Sequence, residues 1–290
     1  MDARSIAATA INKGYITAAT DMDIDFTRPK YYFNSDVYQN RCYNGYGKAD
    51  SSAELKFGPN ITDWPAMSAL TEDMVLKVVS LITDPVTTTD ELIPSGETSS
   101  YRSNPLKLAE FALSRKDPAY VGKAKEVQKA EKARLGGKLP IEALPELDAV
   151  NKAIQSQFAD FDLSKAGIGS TIYALKPGDG SAREQAASCQ KVLGGWANIA
   201  GEYATKRYRS NLINWGMLPF ILDGGTPFEN GDYLFVPQIR KAVEQKAKEI
   251  SAYVVKNDHL LPLTLRMDDI TDDERKIILA GCLINFYAEK

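Results

Sequence analysis

Histidine is almost missing from this 290-residue chain, and cysteine is scarce: His259 stands alone, with Cys42, Cys189 and Cys282. One histidine excludes a multi-histidine metal centre and leaves Ser-His-Asp or Cys-His catalysis almost no room within the chain. The cysteines lie far apart with no CxxC pair, so they cannot by themselves build a four-ligand zinc or iron–sulfur site. An odd, sparse count fits a reducing compartment in which thiols stay free. A dominant charge is missing as well. Lys plus Arg number 35 against 38 for Asp plus Glu, a net charge of −3, whereas a dedicated nucleic-acid binder carries a strong basic excess. No long apolar run occurs: Ile277 to Ala288 is interrupted by Asn285 and falls short of the ~20 residues that span a bilayer. Met1-Asp2-Ala3-Arg4-Ser5 has no basic stretch leading into an apolar one, so the expected location is cytoplasmic and no membrane partner is expected. No internal repeat is visible.

What is present is an ordinary globular composition, 44% apolar and 25% charged, long enough for two domains or one large domain with an appendage. Asp2 to Gly14 is rich in small residues and reads as a helix stopped by Gly14. Residues 21–65 show little periodicity and hold Tyr31, Tyr32, Tyr38, Tyr43 and Tyr46, which predicts an extended connector whose rings pack on something. From Met74 the pattern becomes regular. Strands are expected at Met74 to Val79, Thr171 to Leu175, Met217 to Leu222, Tyr233 to Val236, Ala252 to Val255 and Pro262 to Met267. Helices are expected at Asn104 to Arg115, Val121 to Leu135, Ile141 to Phe158, from about Ala182, at Lys206 to Trp215, at Gln238 to Glu249 and from Asp273 onward. The mixture places the fold in the α/β or α+β class. The charges of Val121 to Leu135 alternate in sign, as on a solvated helix face.

Between a predicted strand and a predicted helix lies Lys176-Pro177-Gly178-Asp179-Gly180-Ser181-Ala182-Arg183-Glu184. A glycine-flanked loop opening a helix presents free backbone N–H groups and the positive end of the helix dipole, a setting that binds carboxylate or phosphate. Arg183 adds a planar fork suited to a carboxylate. The same letters are also a capping box, in which Ser181 and Glu184 only satisfy helix-end donors. Local chemistry alone leaves both readings open. The loop is neither a Walker A sequence nor a hydrolase G-x-S-x-G.

Gly180-Ser181-Ala182-Arg183-Glu184 followed by Leu193-Gly194-Gly195 resembles the G-S-S-R-E…L-G-G signature of the C-terminal swivelling domain of the aconitase superfamily. Asn211 to Pro219 is similar to that family's N-L-x-x-x-G-[LM]-L-P segment. Thr88-Thr89-Asp90 resembles its T-T-D-H run, Arg102 stands where the family has a substrate-binding arginine, and Ala3 to Ala10 is similar to the end of the preceding domain. These motifs occur in the family's order. The resemblance implies a three-layer β/β/α swivelling domain over residues 66–290, preceded by an N-terminal helix and extended connector over 1–65. That first part would be the remnant of an aconitase-like domain plus linker. By the same resemblance, Ser181 is a base on the substrate carbon acid, Asp90 a catalytic aspartate, and Arg102 and Arg183 clamps on substrate carboxylates. A serine can act as base only where its alkoxide is stabilised, and helix-terminal N–H groups with Arg183 would supply that field. The two arginines are expected to converge on one anion site with Ser181.

The function so implied is the substrate-clamping part of an iron–sulfur hydro-lyase acting on a hydroxy-polycarboxylate. The chain binds no cofactor itself, and the [4Fe-4S] cluster belongs to missing domains that act as its partners. Alone it is expected to be inactive. Alternatives are a non-catalytic module of this fold binding RNA or a protein partner, and the small subunit of a split isopropylmalate-type dehydratase. The sequence departs from the family pattern at Ala182 and Glu91 and in the stretch Lys206-Arg207-Tyr208-Arg209-Ser210. That basic cluster encloses an aromatic, but at net charge −3 it reads as a helix surface near the cleft mouth rather than an RNA contact. His259 is expected at the surface or a strand end, and the cysteines as inert thiols, with Cys189 facing the core.

Overall fold

The computed structural model describes residues 1–23, 27, 30–42 and 44–288. They divide into two compact units, Met1–Leu55 and Lys56–Lys290. In the first, Asp2 caps the helix Ala3–Ile11 by accepting from the Arg4 and Ser5 N–H groups, and Gly14 ends the segment at φ +88°. A 3₁₀ turn, Ala19–Asp21, and a short helix, Asp36–Gln39, follow. Of the rings in residues 21–65, Trp64 packs on Trp215 with centroids 4.3 Å apart, whereas the expected packing of the tyrosines is corrected for the described residues. Tyr31, Tyr32, Tyr38 and Tyr46 are exposed, because the only helix among them buries none of its residues and offers no apolar face. Tyr38 stacks on Phe33 alone. Tyr43 lies outside the described residues.

The second unit is of the expected α/β class. Its strands are β1 (Met74–Ile82), β2 (Thr87–Thr88), β3 (Gly167–Ala174), β4 (Pro177–Asp179), β5 (Gly195–Ala200), β6 (Leu218–Ile221), β7 (Tyr233–Val236), β8 (Glu249–Lys256) and β9 (His259–Arg266). Seven of them close into a barrel in the order β1-β3-β5-β6-β9-β8-β7. β1, β3, β5 and β6 run parallel, while β9, β8 and β7 complete the circle through antiparallel pairings. Closure removes the unpaired edges that an open sheet would leave. Alternation along β1 decides which core each side chain joins. Met74, Leu76 and Val78 meet Phe220, Leu234, Val236, Val254 and Leu265 in one apolar cluster. Val75 and Val79 join a second cluster with Val127, Ile154 and Leu193 from the covering helices.

Those helices form the parallel crossovers: Pro105–Ala109, Tyr120–Leu135, Pro140–Ala143 and Leu147–Gln155 between β1 and β3, Arg183–Val192 between β3 and β5, and Lys206–Asn214 between β5 and β6. Glu131 fixes the longest of them to the barrel. Its carboxylate takes both ends of the Arg134 guanidinium and the Ile168 backbone N–H at the start of β3, all close to fully buried.

Four expected helices are shorter or broken. Asn104 to Arg115 stops at Ala109, because Leu113 turns to φ +52° and sends its N–H to the Leu92 carbonyl. Ile141 to Phe158 divides around Pro145, which lacks the N–H to continue a helix. Gln238 to Glu249 keeps only Ile239–Glu244, since Lys246 at φ +62° turns the chain into β8. The last helix likewise breaks at Gly281, φ +92°, into Asp272–Ala280 and Leu283–Ala288. His259 opens β9 at the surface, Cys189 and Cys282 are buried, and Cys42 is exposed. No helix among the described residues is long and apolar enough to cross a membrane.

Candidate functional site

At the carboxyl ends of parallel strands, loops gather with the N-termini of the following helices, and such ends collect ligands in α/β folds. Here β3 ends at Ala174 and the chain passes through β4 to Ser181 before the helix Arg183–Val192. β4 pairs with β2, Thr88 opposite Asp179, which draws the helix Thr89–Leu92 against the loop. Two glycines permit the approach. Gly180 sits at φ +136°, and a Cβ there would stand 2.1 Å from Thr89 Oγ1; at Gly178, φ +97°, it would stand 2.3 Å from the Tyr208 ring.

The capping box that Ser181 and Glu184 could make does not form. The helix N-cap is Ala182, and no side chain caps it. Glu184 Oε1 instead accepts from Trp215 Nε1 at 3.0 Å. Asn211 takes over part of the capping role: its amide oxygen faces the Glu184 backbone N–H at 3.2 Å and its nitrogen the Arg207 carbonyl. The Ser181 hydroxyl is therefore left exposed, with no protein partner among the described residues.

Ser181 opens into a cavity of about 340 Å³ shared with Arg183, Glu184, Lys206, Arg207, Ser210 and Asn211. Three cationic side chains and one carboxylate surround it, beside two hydroxyls and an amide, which suits a small anion with hydroxyl groups of its own. The Arg183 guanidinium folds back to donate to the Gly180 carbonyl. Thr205 accepts from the Tyr208 N–H at 3.2 Å and so caps the helix that supplies Lys206, Arg207, Ser210 and Asn211.

Beneath the loop a closed polar triad fixes three elements together. Tyr208 Oη donates to Asn198 Oδ1 at 2.8 Å and accepts from Gln190 Nε2 at 3.0 Å, and Asn198 Nδ2 donates to Gln190 Oε1 at 2.7 Å. All three side chains are buried, and burial pushes the Tyr208 hydroxyl well above its ordinary pKa. The aromatic of the basic cluster thus belongs to the core and offers no exposed ring for stacking.

The four predicted site residues do not all meet. Ser181 and Arg183 share the cavity; Asp90 and Arg102 do not line it. Asp90 lies one position beyond Thr89, on which the Gly180 backbone packs, and its carboxylate pairs with Arg115, which also holds Glu97. Arg102 is exposed after the turn Ser99–Tyr101, with Nη2 3.5 Å from the Ser95 carbonyl. Glu91 completes a capping box with Thr88 and meets Lys116 at 3.3 Å. Burial alone would raise its pKa, but the Thr88 hydrogen bonds and Lys116 outweigh that and lower it, so the charge is balanced locally. Sequence reasoning set Lys206 and Arg207 on a helix surface near the cleft mouth without making them lining residues, and missed Ser210 and Asn211. Their signal was the basic run entering the N-L segment, and only the crossover between β5 and β6 brings it to Ser181.

Among the described residues no group of three or more His, Cys, Asp or Glu side chains could hold a metal ion. The described residues therefore offer no ligand set for an iron–sulfur cluster.

A family model for the aconitase C-terminal domain matches residues 159–224, the segment that runs from before β3 to just past β6. No curated protein matches the chain. Among solved structures, a crystal structure of 3-isopropylmalate dehydratase from Methanocaldococcus jannaschii is similar at 23% identity and a TM-score of 0.43, covering 74% of this chain and 95% of that one. The Ser181 loop and the helix Lys206–Asn214 both lie inside the segment that is similar to the aconitase C-terminal domain.

Proposed function

We propose that this chain is the substrate-clamping component of a hydro-lyase of the aconitase superfamily, acting on a hydroxy-polycarboxylate. One observation carries the reading. The serine of the family loop is released from helix capping and opens into a cavity beside Arg183, Lys206 and Arg207. In this reading Arg183 turns from the Gly180 carbonyl to grip one substrate carboxylate, while Lys206 and Arg207 hold a second. Ser181 takes a proton from the carbon beside a carboxylate, its oxyanion supported by Arg183 and the first N–H groups of the helix. Asp90, tied to Arg115, steadies the helix packed against Gly180 and acts as a positioning residue. Arg102 would clamp only a substrate portion reaching beyond the cavity. Any iron–sulfur cluster is supplied by another body of the enzyme, either on the same polypeptide or, as in a split isopropylmalate-type dehydratase, by a separate large subunit. The second form suits a unit, Lys56–Lys290, that holds both apolar cores and the whole cavity within itself.

Calorimetric titration of the chain with citrate, tricarballylate and 2-isopropylmalate tests the clamp. Binding of one of them should weaken about tenfold in Arg183→Lys, which keeps charge but loses the fork, and change less than about twofold in Ser181→Ala. With a cluster-bearing partner added, Ser181→Ala should lower turnover while leaving KM near its starting value. Hydration of aconitate by the chain alone, or equal affinity in wild type and Arg183→Lys, would overturn the reading.

A further inference from the structure

A larger hollow lies at the other end of the barrel, beside the amino ends of β1 and β3 and the carboxyl end of β7. Its volume is about 560 Å³, and its chemistry is opposite to that of the Ser181 cavity. The floor is aromatic. Phe235 meets Phe158 and Phe161 edge-to-face, with centroids 5.1 and 4.9 Å apart, and Phe158 remains half-exposed. The rim is acidic. Glu72, Asp73 and Asp160 border it against one cation, Lys241. Several surface acids of this unit are matched, such as Asp232 with Lys256, Asp269 with Lys248 and Glu244 with Arg240. Around the hollow they are not. Glu72, Asp160 and Lys241 have no ion-pair partner among the described residues, and the Asp73 carboxylate accepts from the Gln238 N–H at 2.7 Å. Unpaired carboxylates around a concave surface focus a negative potential into it, and the half-exposed Phe158 ring adds apolar surface for a ligand's stem.

We propose that this hollow is a second binding site, for a small organic cation: an amine or guanidinium carried on an apolar stem or ring. The cationic head sits between Glu72 and Asp160 at the rim, and the apolar part lies on Phe158. Gln238, held at φ +50° by the bond from its N–H to Asp73, keeps the β7 side of the rim in place. Substrate anion and organic cation would occupy opposite ends of the barrel and would not compete.

Titration of the 290-residue chain with 2-phenylethylamine and with agmatine, followed by NMR, tests the proposal, with 2-phenylethanol as the neutral counterpart and acetate as the anion. The expected result is saturable binding of at least one amine, with shifts at the amides of Phe158, Asp160 and Gln238. The alcohol should bind at least about tenfold more weakly. Glu72→Gln and Asp160→Asn should each weaken the amine several-fold; both side chains are exposed, so the thermal midpoint should hold. Phe158→Ala should weaken both amine and alcohol. Citrate binding at Ser181 is the independent reference and should be unchanged. No saturation by about 10 mM, equal binding of amine and alcohol, or affinity unmoved in Glu72→Gln with Asp160→Asn would overturn the site.

Discussion

Lys191 shows how far burial bends a single residue in this fold. It follows Gln190 on the helix Arg183–Val192 and is buried, with Nζ 3.6 Å from the Trp196 ring centroid and no hydrogen-bond partner among the described residues. Loss of water pulls its pKa from the ordinary 10.5 down to about 7, against a smaller upward pull from Cys282 and Glu131. Below about pH 7 the folded and unfolded chains both hold the proton and the burial cost is complete. Between about 7 and 10.5 only the unfolded chain holds it, so stability should rise with pH through that window, by on the order of 3–5 kcal/mol from this residue. Urea denaturation at pH 7, 8.5 and 10 should show the rise in wild type, and Lys191→Met should flatten it. Parallel profiles for the two proteins would refute the assignment.

Elements show where reading from sequence succeeds and where it stops. The strand Tyr233–Val236 and the helix Tyr120–Leu135 lie within one residue of their sequence expectations, because their apolar period and local signals agree. β5 escaped notice. Gly195-Trp196-Ala197-Asn198-Ile199-Ala200 has few β-branched residues, and what makes it a strand is its position between β3 and β6. The Ser181 loop was legible as a motif, yet its role was not. Whether Glu184 caps locally or turns to Trp215, thirty-one positions away, is decided by tertiary packing that no local window contains. Lys206 and Arg207 were visible as a basic run, and the Thr205 cap determines that this helix begins at the cavity. Thr205→Ala should cost about 1 kcal/mol of stability, read by denaturant midpoint, because the Tyr208 N–H loses its acceptor. Polycarboxylate affinity should fall with it, since two of the cavity's cations start from that turn. Unchanged affinity would mean that Lys206 and Arg207 do not contribute to binding.

At the scale of the whole molecule the barrel is not equally strong around its circumference. β8 and β9 share eight registered pairs, whereas β6 and β9 meet at one, Ile221 opposite Arg266. Beside that single pair Arg266 grips Asp223, just past β6, with Nε–Oδ2 at 2.5 Å and Nη2–Oδ1 at 3.0 Å, and also holds Asp268. The wall is therefore fastened there by partly exposed charges more than by backbone, and dissolved ions weaken such a fastening. In deuterium exchange the amides of Ile221, Leu222 and Met267 should open faster in about 1 M sodium chloride than in about 50 mM, while those along β8 hold their protection. Equal acceleration everywhere would indicate global loosening instead. A barrel with such a seam can breathe along one line without melting, and ionic strength sets how often it does so.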